Sequence, residues 1–293
     1  MKVSEALEKL GAFERTMSAL GAASGLVYYD GATIAPKRSA EVRPNTLGEL
    51  SRISYELATA PETIEMLETL LAAKDELTPV EARQAHELYR DYDRMKNIPK
   101  DEFVEYQRLS AESDDVWHTA KETNDFALFE PYLQKMFDFN VRFSGYIDPS
   151  KKPYDVALDT YERGMTADMC DEFFTGLREK LVPLIARVSA APQIDDAPLK
   201  RRVSLARQRD FSSYLMDTIG IDRDSCIIGE TEHPFTINFT KRDVRITTHY
   251  HEKAFASSMY SVIHEGGHAL YELGTGDDLM FTSLGTGVSM AIH

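Results

Sequence analysis

The chain has 293 residues, 43% of them hydrophobic, enough to bury a sizeable core and too many for wholesale disorder. It carries 33 basic against 48 acidic residues, a net charge of −15, a field that repels phosphate backbones and anionic lipid. The longest basic run, Lys200-Arg201-Arg202, reads as a solvated helix end, so no nucleic-acid and no membrane partner is expected.

The N-terminus, MKVSEALEKLGAFERTM, is charged and amphipathic rather than a basic stub before an apolar run, which is not the pattern of a signal peptide. Together with the lack of any apolar stretch approaching the ~20 residues of a membrane span, this places the expected location in the cytoplasm. Residues 4–24 put Leu7, Leu10, Phe13, Met17 and Leu20 at steps of three and four, the spacing of one helix face. Residues 45–74 repeat that spacing, with Pro61 placed to open a second helix. Further helices are expected at 80–96, 100–122, 128–145 and 166–189, the last starting at Thr166 with Asp168 and Asp171 in or near its first turn. Ala190–Leu199 holds two prolines and two aspartates and reads as an exposed loop. Cys170 and Cys226 form no CxxC and no disulfide framework; both read as buried thiols.

One stretch breaks the helical pattern. In HPFTINFTKRDVRITTHY, Phe235, Ile237 and Phe239 lie on one face, then Val244, Ile246 and Thr248, with Thr240-Lys241-Arg242 as a short connection. That alternation predicts a small antiparallel hairpin. A helix follows over about 252–273, with Gly274 at its C-terminal cap. The fold class expected is therefore mainly α, with a small antiparallel sheet beside the last helix. One domain is expected over residues 1–293, with 1–189 helical and 190–293 carrying the hairpin and the last helix.

That helix contains His264-Glu265-Gly266-Gly267-His268, an HExxH motif. Residues four apart stack on one helix face, so His264 and His268 can each point a ring nitrogen at one zinc ion at ~2.0–2.1 Å. Glu265 is turned about 100° away and would stand beside the ion as a general base, taking a proton from the attacking water and passing it to the leaving amine. Val262, Ile263, Ala269 and Leu270 flank the motif and imply a mostly buried helix, in which two histidines and a glutamate need partners. Gly266 and Gly267 each cost about 1 kcal/mol in a helix interior and imply close approach to a neighbour or substrate. A catalytic zinc takes three protein ligands. The position that would carry a histidine in HExxHxxGxxH is Gly274, and Glu272, Asp277 and Asp278 are all poorly placed. Spacing alone leaves the third ligand open.

HPFT at 233–236, DVRIT at 243–247, HEGGH at 264–268 and the terminal GVSMAIH resemble the motif order of the carboxypeptidase Taq family of thermostable metallocarboxypeptidases. YYDGATIAPKRSAEVR at 28–43 is similar to that family's early WDxxTxMP segment, with Tyr29 for Trp and Ala35 for Met; NDFALFEPYL and YDVALDTYERGMT match in kind. The resemblance implies removal of single C-terminal residues from peptides, a mainly helical zincin-type lobe with a deep groove, one zinc ion (cobalt as a substitute), and a homodimer. It assigns His264 and His268 as metal ligands and Glu265 as the base, and puts His233, Asp243 and Arg245 at motif positions near the active site, as substrate contacts or as residues fixing the hairpin. It also implies a glutamate following the HES-type histidine as third ligand; that histidine is His293, so the ligand is expected one residue further on. The other readings are a catalytically silent scaffold or dimerisation protein of the same fold, and an oligo-endopeptidase, against which HPF and DVRIT argue.

Overall fold

A computed structural model describes residues 1–287 and 290. Its first helix, α1, runs Val3–Thr33. It passes the expected end at residue 24, and two glycines in the extra turns are contact points. A Cβ on Gly25 would stand 2.8 Å from the Phe239 ring, and one on Gly31 would stand 2.5 Å from the Arg43 guanidinium. Helices α2 (Arg43–Ala58) and α3 (Pro61–Ala72) divide at Pro61 as the sequence predicts. Helix α4 (Pro79–Met95) opens on a capping box: the Glu81 amide donates to Thr78 Oγ1 at 3.3 Å, and the Thr78 amide donates to Glu81 Oε2 at 2.8 Å. Helix α5 (Lys100–Thr123) ends on Asn124 in the left-handed region at φ 53°. Then come α6 (Phe126–Ile147), α7 (Pro153–Tyr161), and α8 (Ala167–Ala190) with Thr166 as its N-cap.

Two helices were not in the sequence reading: α7 and α9 (Leu205–Thr218). The first is only 9 residues long. The second buries Gln208 and Ser212 beside Leu215 and Met216, so its inward face is half polar and shows little hydrophobic period. Helix α10 runs Phe255–Leu273. It starts three residues later than expected because the carbonyls of His251 and Glu252 accept from Gln208 Nε2 and the Val203 amide, both at 2.9 Å or less, which holds that segment extended.

The hairpin is present as β2 (Thr236–Thr240) and β3 (Asp243–Thr248), antiparallel. A third strand, β1 (Cys226–Glu230), lies parallel to β3 on its other side, so the sheet is mixed, in order β1-β3-β2. In CIIGE only three apolar residues precede Gly229 and Glu230, too few to give a period-two signal, so this strand is not predicted from the sequence. Among the described residues one core cluster joins Cys226, Val244 and Ile246 of the sheet to Leu215 and Met216 of α9 and Val262 and Ala269 of α10. A second lies among α1, α3 and α4, and a third between α5 and α6. Cys226 is buried as expected, and its thiol is pushed up to about 11 by burial; Cys170 is only partly buried, because α8 buries none of its residues. No described helix is long and apolar enough to cross a membrane.

Candidate metal centre and active site

The sheet has two faces with different tenants. Val244 and Ile246 point toward α10 and into the core. Arg245, between them, points the other way, toward α1: its guanidinium lies 5.0 Å from the Tyr29 ring and 4.9 Å from the Phe239 ring. On β2 the same alternation sends Ile237 and Phe239 toward Gly25 of α1 and leaves Thr236 and Asn238 facing α10.

On α10, His264 and His268 sit one above the other, with ring planes at 86° and their Nε2 atoms 3.3 Å apart. Two ligands each ~2.0–2.1 Å from one ion at a tetrahedral angle lie about 3.3–3.4 Å apart. The pair therefore already has the separation that a shared divalent ion requires, and imidazole nitrogen is a donor suited to zinc. His264 is exposed and His268 half-buried, so the site opens to solvent.

Glu265 is turned inward and is 7% exposed. Thr236 Oγ1 donates to Glu265 Oε2 at 2.6 Å and lies 3.1 Å from the Glu265 backbone oxygen. One turn beyond His268, Asn238 Nδ2 donates to Glu272 Oε2 at 2.7 Å, and burial pushes the Glu272 carboxyl above its ordinary range. Strand β2 thus supplies two polar side chains to two carboxylates of α10. Neither Thr236 nor Asn238 figured in the sequence reading. The signal was the period-two pattern itself, since an apolar 235/237/239 face implies a polar 236/238 face.

The two glycines divide the work. A Cβ on Gly266 would stand 2.4 Å from Ile219 Cδ1, so this glycine is where α10 meets the turn after α9; a Cβ on Gly267 would meet nothing within 4 Å. The expectation that the helix is mostly buried needs correcting. Val262 and Ala269 are buried, but Ile263 and Leu270 are each 41% exposed, because they share the outward side with His264 and Gly267.

The remaining motif residues are arranged as follows. Asp243 accepts from Arg245 through both oxygens, at 2.9 and 3.0 Å, and the ion pair holds the Arg245 guanidinium above its ordinary pKa. With Asp243 and two rings around it, Arg245 is fully engaged in fixing the sheet against α1. His233 is exposed on the segment leading into β2. Among the described residues no group of three His, Cys, Asp or Glu side chains could hold a metal ion. Glu272 is tied to Asn238, and Asp277 lies 3.1 Å from Lys241 Nζ. His293, the HES-type histidine, lies outside the described residues.

A family model for carboxypeptidase Taq (M32) metallopeptidases matches residues 9–293. The chain belongs to this family. Carboxypeptidase 1 of Bacillus subtilis is 34% identical over 272 residues, covering 92% of this chain and 54% of that protein. Thermostable carboxypeptidase 1 of Pyrococcus furiosus is 30% identical over 293 residues, covering 99% of this chain and 58% of that protein. The BsuCP crystal structure superposes with a TM-score of 0.96 at 32% identity, over 99% of this chain and 58% of that one. The M32 carboxypeptidase of Deinococcus radiodurans R1 superposes with a TM-score of 0.84 at 30% identity, over 97% of this chain and 57% of that one. The chain spans little more than half the length of the curated M32 relatives it matches. Family membership implies a divalent metal ion.

Proposed function

We propose that the chain forms the helical, metal-binding part of a zinc-dependent metallocarboxypeptidase that removes single residues from peptide C-termini. The observation that carries this reading is the 3.3 Å separation of His264 Nε2 and His268 Nε2, with a buried glutamate on the adjoining face of the same helix. His264 and His268 would hold the ion. Zinc, when bound, would supply a Lewis acid and would lower the pKa of a water on it to roughly 7; cobalt would serve in its place. Glu265 does the proton work. Thr236 occupies Oε2 and fixes the carboxylate plane, so the other oxygen takes the proton of the attacking water and returns it to the leaving amine.

A third ligand is proposed in the polypeptide that family-length members have in addition to the part matched here, as the glutamate of an HES-type element. On that reading residues 1–293 belong to one domain, with peptides as substrates and a second copy as partner, in the cytoplasm. Among the described residues the chain supplies two of the ligands, and a catalytically silent scaffold is the alternative reading of this part by itself. His233 is proposed as a substrate contact, being exposed at the approach to β2; Asp243 and Arg245 are proposed to act through the position of the sheet.

The test is release of free amino acid from an N-blocked dipeptide by a family-length version of the protein, with zinc content measured in parallel. Zinc-dependent release that stops after one residue supports the proposal. Internal cleavage of longer peptides, or release that survives chelation, overturns it.

A further inference from the structure

On the face of the sheet turned away from α10, a cavity of about 610 Å³ opens between α1, α2, α5 and α6, with Ile237 of β2 at its end. Its walls carry the rings of Tyr28, Trp117 and Phe129 together with Leu133 and Met136. Asp114 also lines it, and no lysine, arginine or histidine does. Asp114 forms no hydrogen bond and no ion pair among the described residues: Arg43, on the neighbouring helix, is bound to Asp115 instead. An ionised carboxylate left unpaired in apolar surroundings is costly, and proteins ordinarily pair it. Burial pushes the Asp114 carboxyl above its ordinary range, opposed in part by the charges of His118 and Arg43, neither of which bonds to it, and burial together with the Asp114 charge pushes up the Tyr28 phenol, which places the carboxylate and that ring in one environment.

We propose that this cavity binds a small organic cation with an apolar body, an alkyl- or arylalkylammonium, whose charge pairs with Asp114 and whose body lies against Tyr28, Trp117 and Phe129. The aromatic faces and the carboxylate both attract such a cation, the cavity of about 610 Å³ is large enough to hold one, and the net charge of −15 raises the local concentration of cations. The site is separate from the His264–His268 pair and does not depend on the peptidase reading.

The chain's one tryptophan is Trp117, so its fluorescence reports on the cavity directly. The experiment titrates the 293-residue chain with phenethylammonium chloride and with 2-phenylethanol, its uncharged counterpart. The expected result is a saturable change in emission with at least tenfold tighter binding of the cation. The preference is expected to vanish in Asp114→Asn. In Ser110→Lys, which sets an ammonium one turn from Asp114 on the same wall, the cation is expected to bind no better than the alcohol. Equal affinity for the two probes, no saturable change with either, or a preference that survives both substitutions would overturn the proposal. Displacement of the probe by N-acetyl-lysine amide would support the site as one for a lysine side chain, and failure to displace it would support a free amine.

Discussion

Glu265 and Thr236 differ in what their removal should do. Glu265→Gln keeps size and hydrogen-bonding capacity but removes the proton acceptor. In a family-length protein it is expected to lower kcat by about 10²–10⁴ while zinc content stays at the wild-type level. Near-normal turnover would refute the base assignment. Thr236→Val leaves the carboxylate present but unheld. The expected loss is about 10–100-fold, the scale of an outer-shell partner, carried in kcat rather than KM. Thr236→Ser keeps the hydroxyl and is expected to recover most of the activity; if Ser behaves as Val, the 2.6 Å contact is packing and not positioning. That His264 and His268 stack with Glu265 on the adjoining face was legible in the sequence, because HExxH carries its own geometry, two side chains at i and i+4; their roles are proposals. Thr236 was not legible, because its role comes from a contact between elements 29 residues apart, which no local spacing encodes.

The two glycines of α10 differ in what surrounds them. Gly267 has open space around its missing Cβ, so Gly267→Ala is expected to stabilise the fold by about 0.5–1 kcal/mol through helix propensity. Gly266→Ala drives a methyl toward Ile219 Cδ1 and is expected to lose that gain to overpacking of roughly 1–3 kcal/mol, softened by the give of an isoleucine tip. Thermal melts of the two variants should therefore move in opposite directions, or at least differ clearly; equal shifts would mean that α10 does not touch the turn at Ile219. The long periodic helices were legible to within about three residues, except for the end of α1, which runs nine residues past the expected 24, and so was the β2–β3 alternation. Helix α9 and strand β1 were not, since one hides Gln208 and Ser212 on its inward face and the other is five residues without alternation.

At the scale of the molecule, α8 stands apart. Phe174, Leu177, Leu181, Leu184 and Val188 follow the 3-4-3-4 spacing of a helix-packing seam, yet they are 36–64% exposed together with Phe173 and Ile185. An apolar stripe of that length on one helix is expected to drive self-association of the 293-residue chain. Sedimentation velocity should show dimers or larger species in the micromolar range, and Leu181→Glu with Ile185→Glu should return the chain toward monomer; a wild-type monomer would show that the stripe does not associate. Metal binding by the His264–His268 pair is tested by calorimetric zinc titration of the 293-residue chain, of its His264→Ala/His268→Ala variant and of a family-length version. Weak one-to-one binding to the chain, none to the variant, and much tighter binding to the longer protein are expected. Zinc binding that survives loss of both histidines, or equal affinity in the short and long proteins, would contradict it.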